Sequence, residues 1–562
     1  MNIFSSLLFS VNLFIFANGA PPWKPQVHRR MSNKQLNEIF TVNSIERVPD
    51  YELVRVRMIW RERNDDKIIK NVLFTALENQ YFLQLERNTD FDDQLQYMKM
   101  YRARGGRIED IDALHEDPNP GKTYHDLKNM AAVTIRLTKD DTLEMEGLIG
   151  ADLITKPMPA QFLTMEDESF LEKQDFYDEV VYLPDGTSFN VSQSPVISSG
   201  YHFVYHSYPL WKDINKLYND DNSNKDDDVG EFEDDDSEYD DDENNDFEYD
   251  EEITLSKIHS RNEERSLPDP KFKFSNDYLK DSIIHLMSDT VSSRPKSKTV
   301  WPEILLFVDH KNYNRHDRNY IQIRRYYINL LNAVDLRYRT FSFPKIRMIL
   351  AGIVVADSEA GVPYLENSRL AFPNSNLVDD VTALFDLSEY VYSVERLPKY
   401  DIVVALTAFD LISLSKRKTE VVADTTGMAY IDGACRTREK QQRVLSVSLI
   451  EDRGMLNSVI TATHEIAHLL GSVHDGSSST NGGLGALDCK SELSLIMNSQ
   501  STGLQMKWSK CSIRQIQDSM KKEQVSCLRD HPDESRILAD NFLRQIKQGR
   551  RNKRKQACFI FS

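Results

Sequence analysis

Between positions 461 and 478 the chain reads TATHEIAHLLGSVHDGSS, and few backbone arrangements satisfy that string. Three of the thirteen histidines fall within eleven positions, with Glu465 beside the first and Gly471 between the second and third. Residues four apart on an α-helix lie about 40° apart around the axis and roughly 6 Å along it. His464 and His468 therefore project side by side from one face, spaced to grip a single ion. Glu465 adjoins that face and can reach a water held there without becoming a ligand itself. On an unbroken helix His474 would point about 240° away and lie ~9 Å further along. Gly471 takes positive φ at little cost, so the spacing predicts a helix that stops there and a reversal that returns His474 to the pair.

Three neutral imidazoles with an open fourth position describe a catalytic zinc site, because a structural site is closed by four protein ligands. His464, His468 and His474 are the expected zinc ligands. A water on zinc would be acidified toward a pKa of ~7, and Glu465 would take its proton and pass it to a departing amine. The competing reading of these residues is a set of core or surface histidines on an amphipathic helix. HExxH alone fixes only three positions and recurs by accident; the added glycine and third histidine make the string far more specific.

At 562 residues the chain has room for two or more domains. Its formal charge of −19 is misleading. Residues 220–252 alone hold twenty acidic residues and one lysine, so the remainder is close to neutral and a nucleic-acid partner gains no support. Such a block repels itself and stays extended; it reads as a solvated linker, with a loose calcium-binding tract as the alternative. Residues 3–17 are almost wholly apolar and are followed by Ala17, Gly19 and Ala20, the pattern of a secretory signal over 1–19. The run is too short for a bilayer span, so no transmembrane anchor is expected.

The five cysteines, Cys435, Cys489, Cys511, Cys527 and Cys558, all lie in the last quarter. The first four bracket the histidine string and, in an oxidising compartment, read as structural bridges; spacing leaves all three pairings open. Cys558 is left over in the tail. Asn190-Val191-Ser192 is a glycosylation sequon that matters if the chain is exported.

Composition divides the remainder. Residues 20–215 alternate apolar and charged positions, as in YELVRVRMIW (51–60) and AAVTIRL (131–137), predicting a β-rich domain. Residues 216–298 are a polar, acidic linker. Residues 299–530 read as one α/β domain: near-continuous apolar runs (EILLFVD, IRMILAGIVV, YDIVVALT, VLSVSLI) alternate with helical patterns at about 317–334, 376–396 and 455–470. A further helix is expected near 511–523. Residues 531–562 form a basic tail containing GRRNKRK, which reads equally as a patch for polyanions or membranes.

HEIAHLLGSVHD (464–475) matches the extended metzincin signature, and LSLIMNSQ (493–500) supplies a candidate Met-turn at Met497. Asp475, directly after the third histidine, resembles the adamalysin or reprolysin branch, which includes snake-venom metalloproteinases, ADAM catalytic domains and related enzymes of arthropod saliva and venom. WPEILLFVDHKNY, YDIVVALTAFD, GMAYIDGAC and CSIRQIQDSMKKEQVSCL are similar to further segments of that branch. The resemblance covers about 299–530; residues 40–215 are only loosely like the family's pro-domain.

The resemblance implies a metzincin α/β catalytic domain, with a twisted, mostly parallel sheet, long helices and a zinc cleft, preceded by a β-rich pro-domain. It implies bridges Cys435–Cys527 and Cys489–Cys511, and a peripheral calcium site at Glu303, Asp401 and Asp530, although these acids read equally as ordinary strand-end carboxylates. It implies a secreted monomeric zinc endopeptidase with protein substrates, made as a zymogen. Two departures stand out. No cysteine precedes Cys435, so a pro-domain thiol cannot hold the zinc. No Arg-x-Lys/Arg-Arg string precedes residue 299; RNEER (261–265) and SSRPKSK (292–298) are weaker processing strings, and the best is Arg551–Arg554. The alternative function is a catalytically silent homologue that acts as a binding protein or toxin. A further alternative makes the acidic run the working part and the protease fold its carrier.

Overall fold

The structure is a computed structural model that describes residues 26–59, 69–111, 117–174, 180–182, 188–190, 196–207, 299–370, 376–414, 421–478, 484–490, 495–499 and 506–531. The expected signal segment, the acidic run, the processing strings, the basic tail and Cys558 lie outside the described residues.

The N-terminal alternation folds into a closed eight-stranded barrel. Around it run Tyr51–Ile59, Val196–His206, Leu153–Pro157, Leu143–Ile149, Ala131–Leu137, Lys122–Asp126, Asn79–Arg87 and Ile69–Ala76, which meets the first strand again. Period two explains the closure. Val54, Val56 and Met58 fill the barrel together with Phe74, Leu83, Val133 and Met145. Leu53, Phe203 and Tyr205 point the other way, into a second apolar cluster beneath the helix Asn33–Phe40. There the Phe40 ring lies 5.1 Å from Phe203 and 5.3 Å from Tyr205.

The second sheet has seven strands in the order Gly427–Ala429, Val447–Glu451, Ile402–Thr407, Glu303–Val308, Ile349–Ala356, Lys99–Arg104 and Arg107–Asp110. Strands Glu303–Val308 and Ile402–Thr407 are buried at every position, as expected for parallel strands covered on both faces. The last two strands come from the N-terminal region. Lys99–Arg104 pairs in parallel with Ile349–Ala356, and Arg107–Asp110 closes the edge as an antiparallel hairpin. Lys99–Asp110 (2.6 Å) and Arg102–Glu109 (2.8 Å) ion pairs place charge on that edge, which discourages further strand addition.

Helix Tyr320–Tyr338 joins the two halves. Asn319 caps it, its side-chain oxygen accepting from the Ile321 and Gln322 amides at 3.0 and 3.3 Å. Fifteen of its nineteen residues are buried, so it needs cover on both sides. One side meets the barrel strands Ala131–Leu137 and Leu143–Ile149, the other the helix Val459–Leu469. Polar pairs cross the barrel contact. Arg325 grips Asp117 with two bonds of 2.6 and 2.7 Å, and Asn88 donates to Asn332 and Asp335 at 3.0 Å each.

His125 also lies in that contact, Nε2 2.8 Å from the Asn332 carbonyl. Burial pushes the imidazole down to about 4, with Asp335 opposing and Arg339 reinforcing the shift. Its folded pKa thus lies below the unfolded value of about 6.5, and protons bind preferentially to the unfolded chain. The stabilising effect of neutral His125 is complete above pH 6.5 and falls by roughly 1.4 kcal/mol per pH unit between 6.5 and 4. Denaturant unfolding between pH 7 and 4.5 should therefore be steeper in pH for the wild type than for His125→Gln; equal slopes would contradict this.

Candidate active site

Helix Val459–Leu469 ends in a Schellman turn. Ser472 N–H reaches back to the Ala467 carbonyl and Gly471 N–H to that of His468, both at 2.9 Å, and Gly471 has φ +96°. A side chain at Gly471 would also meet Ser519, whose Cβ would lie 2.8 Å away. The reversal brings the third histidine back. His474 Nε2 lies 3.0 Å from His464 Nε2 and 3.2 Å from His468 Nε2.

Two of the rings are held from behind. Nδ1 of His464 is 2.7 Å from the Ile496 carbonyl, and Nδ1 of His468 is 2.7 Å from the Ser472 carbonyl. A carbonyl only accepts, so both Nδ1 atoms carry the proton and both Nε2 lone pairs face inward. Burial pushes His464 down to about 3 and lowers His468 and His474 as well, keeping all three imidazoles neutral at physiological pH. Three convergent, neutral, sp² nitrogen donors fit zinc.

Glu465 is 5% exposed, and burial, with a smaller push from Asp380, raises its carboxyl to about 8. Gly427, on the sheet's edge strand, makes room for it: a Cβ there would lie 2.7 Å from Glu465 Oε1. Asp380 and Gly427 escape a sequence reading because they come from distant strands and helices. Only the segment around Gly427 carried any signal.

Met497 lies in a turn closed by Asn498 N–H to the Leu495 carbonyl, 3.3 Å, and is fully buried. The same turn supplies the Ile496 carbonyl to His464 and the Met497 carbonyl to Asp475 N–H at 2.9 Å. Asp475 in turn accepts from Ser509, the N-cap of helix Lys510–Ser519. Cys435 is bonded to Cys527 and Cys489 to Cys511. Asn190 ends the short strand Ser188–Asn190; the rest of its sequon lies outside the described residues.

Glu303, Asp401 and Asp530 are gathered at one place, but around an ammonium. Lys399 Nζ sits 2.9 Å from Glu303 Oε2 and 2.6 Å from Asp530 Oδ2. Asp401 accepts from the Glu303 amide at 3.0 Å, yet burial pushes its carboxyl well above the usual range. The lysine provides the positive charge that a calcium ion would bring. Added calcium should leave the wild-type melting temperature unchanged and raise that of Lys399→Met; calcium stabilisation of the wild type would show that the ammonium gives way.

This arrangement of helix, reversal, third imidazole and methionine turn beside a mostly parallel sheet is fitted to hold a metal ion. Residues 324–475 match the family described as metallo-peptidase family M12B, reprolysin-like. The chain is 29% identical over 454 residues to a Bombyx mori protein named "A disintegrin and metalloproteinase with thrombospondin motifs like", covering 79% of this chain and 59% of that protein. It is 27% identical over 235 residues to venom metalloproteinase 3 of Eulophus pennicornis, covering 41% of this chain and 52% of that one. The chain thus spans little more than half the length of these curated relatives. A solved archaemetzincin from Methanopyrus kandleri aligns with 41% of this chain and 100% of its own at 12% identity and a TM-score of 0.24, too low to bear on the fold.

Proposed function

We propose that the chain is a secreted zinc-dependent endopeptidase that cleaves extracellular or host proteins. We propose further that residues 20–215 are its precursor domain and residues 299–530 its catalytic domain. The observation that carries this reading is the convergence of three Nε2 atoms, two of them fixed by carbonyls behind the rings, next to a buried carboxyl. Zinc, when bound, polarises a scissile carbonyl and acidifies water. His464, His468 and His474 hold it. Glu465 takes a proton from the attacking water and returns it to the leaving amine, a role suited to a buried carboxyl beside the triad. Among the described residues Gly427–Ala429 pairs on one side only, with Val447–Glu451, and its outer edge can align an extended peptide by main-chain hydrogen bonds. The venom metalloproteinases among the relatives support export and a protein substrate.

The test is cleavage of a denatured protein substrate before and after chelation. Activity should vanish with the metal and return with one equivalent of zinc. Undiminished cleavage after complete metal removal would sink the proposal, and no cleavage by the zinc-loaded mature form would favour the silent binding protein.

A further inference from the structure

The parallel strands of the second sheet change direction of succession at Glu303–Val308. The chain next visits Ile349–Ala356 on one side and then Ile402–Thr407 on the other. Open α/β sheets bind ligands beyond the carboxyl ends of their strands at such a switch point. Here that place holds His310, two residues past the first strand, and Glu359, three past the second, with Glu366 at the end of the short helix Pro363–Glu366.

The three side chains offer one nitrogen and two carboxylate oxygens, all within 4.8 Å of one another. His310 is 9% exposed, and its Nδ1 has no hydrogen-bond partner among the described residues. The atom it faces, Glu366 Oε1 at 3.9 Å, is buried and equally without one. A buried donor and acceptor left facing each other beyond hydrogen-bond range call for a cause. At bond lengths of about 2.0–2.2 Å a divalent ion spans donors roughly 3.3–3.6 Å apart, so a few tenths of an ångström brings in the Glu366 oxygen, and a rotamer adjustment of the exposed Glu359 by up to about an ångström closes the site.

The surroundings hold these groups in place. Asp309 accepts from the Asn312 amide at 2.7 Å, from Thr407 Oγ1 at 2.8 Å and from the Ala408 amide at 3.0 Å, anchoring the turn that carries His310. Arg369 binds Glu366 through Oε2 at 2.9 Å, leaving Oε1 turned toward the histidine. Two neighbouring cations are already engaged: Lys311 Nζ lies over the Phe409 ring at 3.7 Å, and Arg104 pairs with Asp357. A cleft lined by His310 and Glu359 gives an ion access from solvent.

We propose that His310, Glu359 and Glu366 form a second binding site for a divalent metal ion of the zinc type, separate from the histidine triad. The ion would clamp the segments leaving the two adjacent strands, and its fourth position would take water.

Tightly held zinc is counted on the full chain by dialysis against a zinc buffer set with a competing chelator, followed by elemental analysis. Wild type should retain two equivalents, Glu359→Gln and His310→Asn one each, with peptidase activity kept. Because each variant is read as a difference from wild type, weak binding by the acidic run cancels. Glu359 is exposed, so Glu359→Gln should fold even if His310→Asn does not, and circular dichroism checks both. One wild-type equivalent that survives both substitutions, or two that survive Glu359→Gln, overturns the proposal and leaves the peptidase reading intact. A single equivalent lost in Glu359→Gln but kept in His464→Ala would instead uphold this site and remove the other.

Discussion

Glu465→Gln lowers kcat about 10²–10⁴-fold, the range for loss of a general base, while zinc content and melting temperature stay close to wild type. The substitution keeps the shape of a side chain packed against Gly427 and removes only its capacity to carry a proton. It leaves in place the Ile496 and Ser472 carbonyls that hold the His464 and His468 rings. Steady-state kinetics with metal analysis on the same samples separate this role from a structural one. A variant with near wild-type turnover would transfer the proton traffic elsewhere, and one that lost its zinc would make Glu465 a support for the ligands.

The second large effect concerns the barrel. Residues 299–531 produced alone should fail to give a cooperatively folded, monodisperse protein, and co-expression with 26–207 should restore a soluble complex. Helix Tyr320–Tyr338 is buried nearly all round, and one apolar cluster contains Phe91, Met100 and Phe203 together with Ile323, Leu331 and Val334. Each large apolar side chain that loses its cover costs about 1.5–3 kcal/mol, so Ile323, Leu331 and Val334 together cost roughly 4.5–9. That is comparable with the whole net stability of a domain, about 5–15 kcal/mol. Departure of the barrel would also strip Lys99–Arg104 from the edge of Ile349–Ala356, so the exposed strand would invite association. Cutting an engineered site within 216–298 should accordingly leave the halves co-eluting on a sizing column. A well-behaved 299–531 fragment with wild-type stability would refute the argument.

The histidine site was legible because its geometry is local: helical pitch, one glycine and eleven residues define where His464, His468 and His474 can meet. The strands were legible for the same reason, Glu303–Val308 and Tyr51–Ile59 lying within the apolar runs that announced them. What lay hidden depends on contacts distant in sequence. Alternation in 51–60 announces a strand but not the closure of eight into a barrel, and nothing in KMYRAR shows that it joins a strand 253 positions further on. Lys399 among Glu303, Asp401 and Asp530 was equally invisible, since a lone lysine between strands looks like any solvated surface cation.

Ser472 serves two masters. Its amide closes the final turn of the histidine helix on Ala467, and its carbonyl holds the ring of His468. Fraying of that helix end and release of the metal are therefore one event, not two. Ion off-rate and hydrogen exchange at the Ser472 amide should rise and fall together under any condition that loosens the turn.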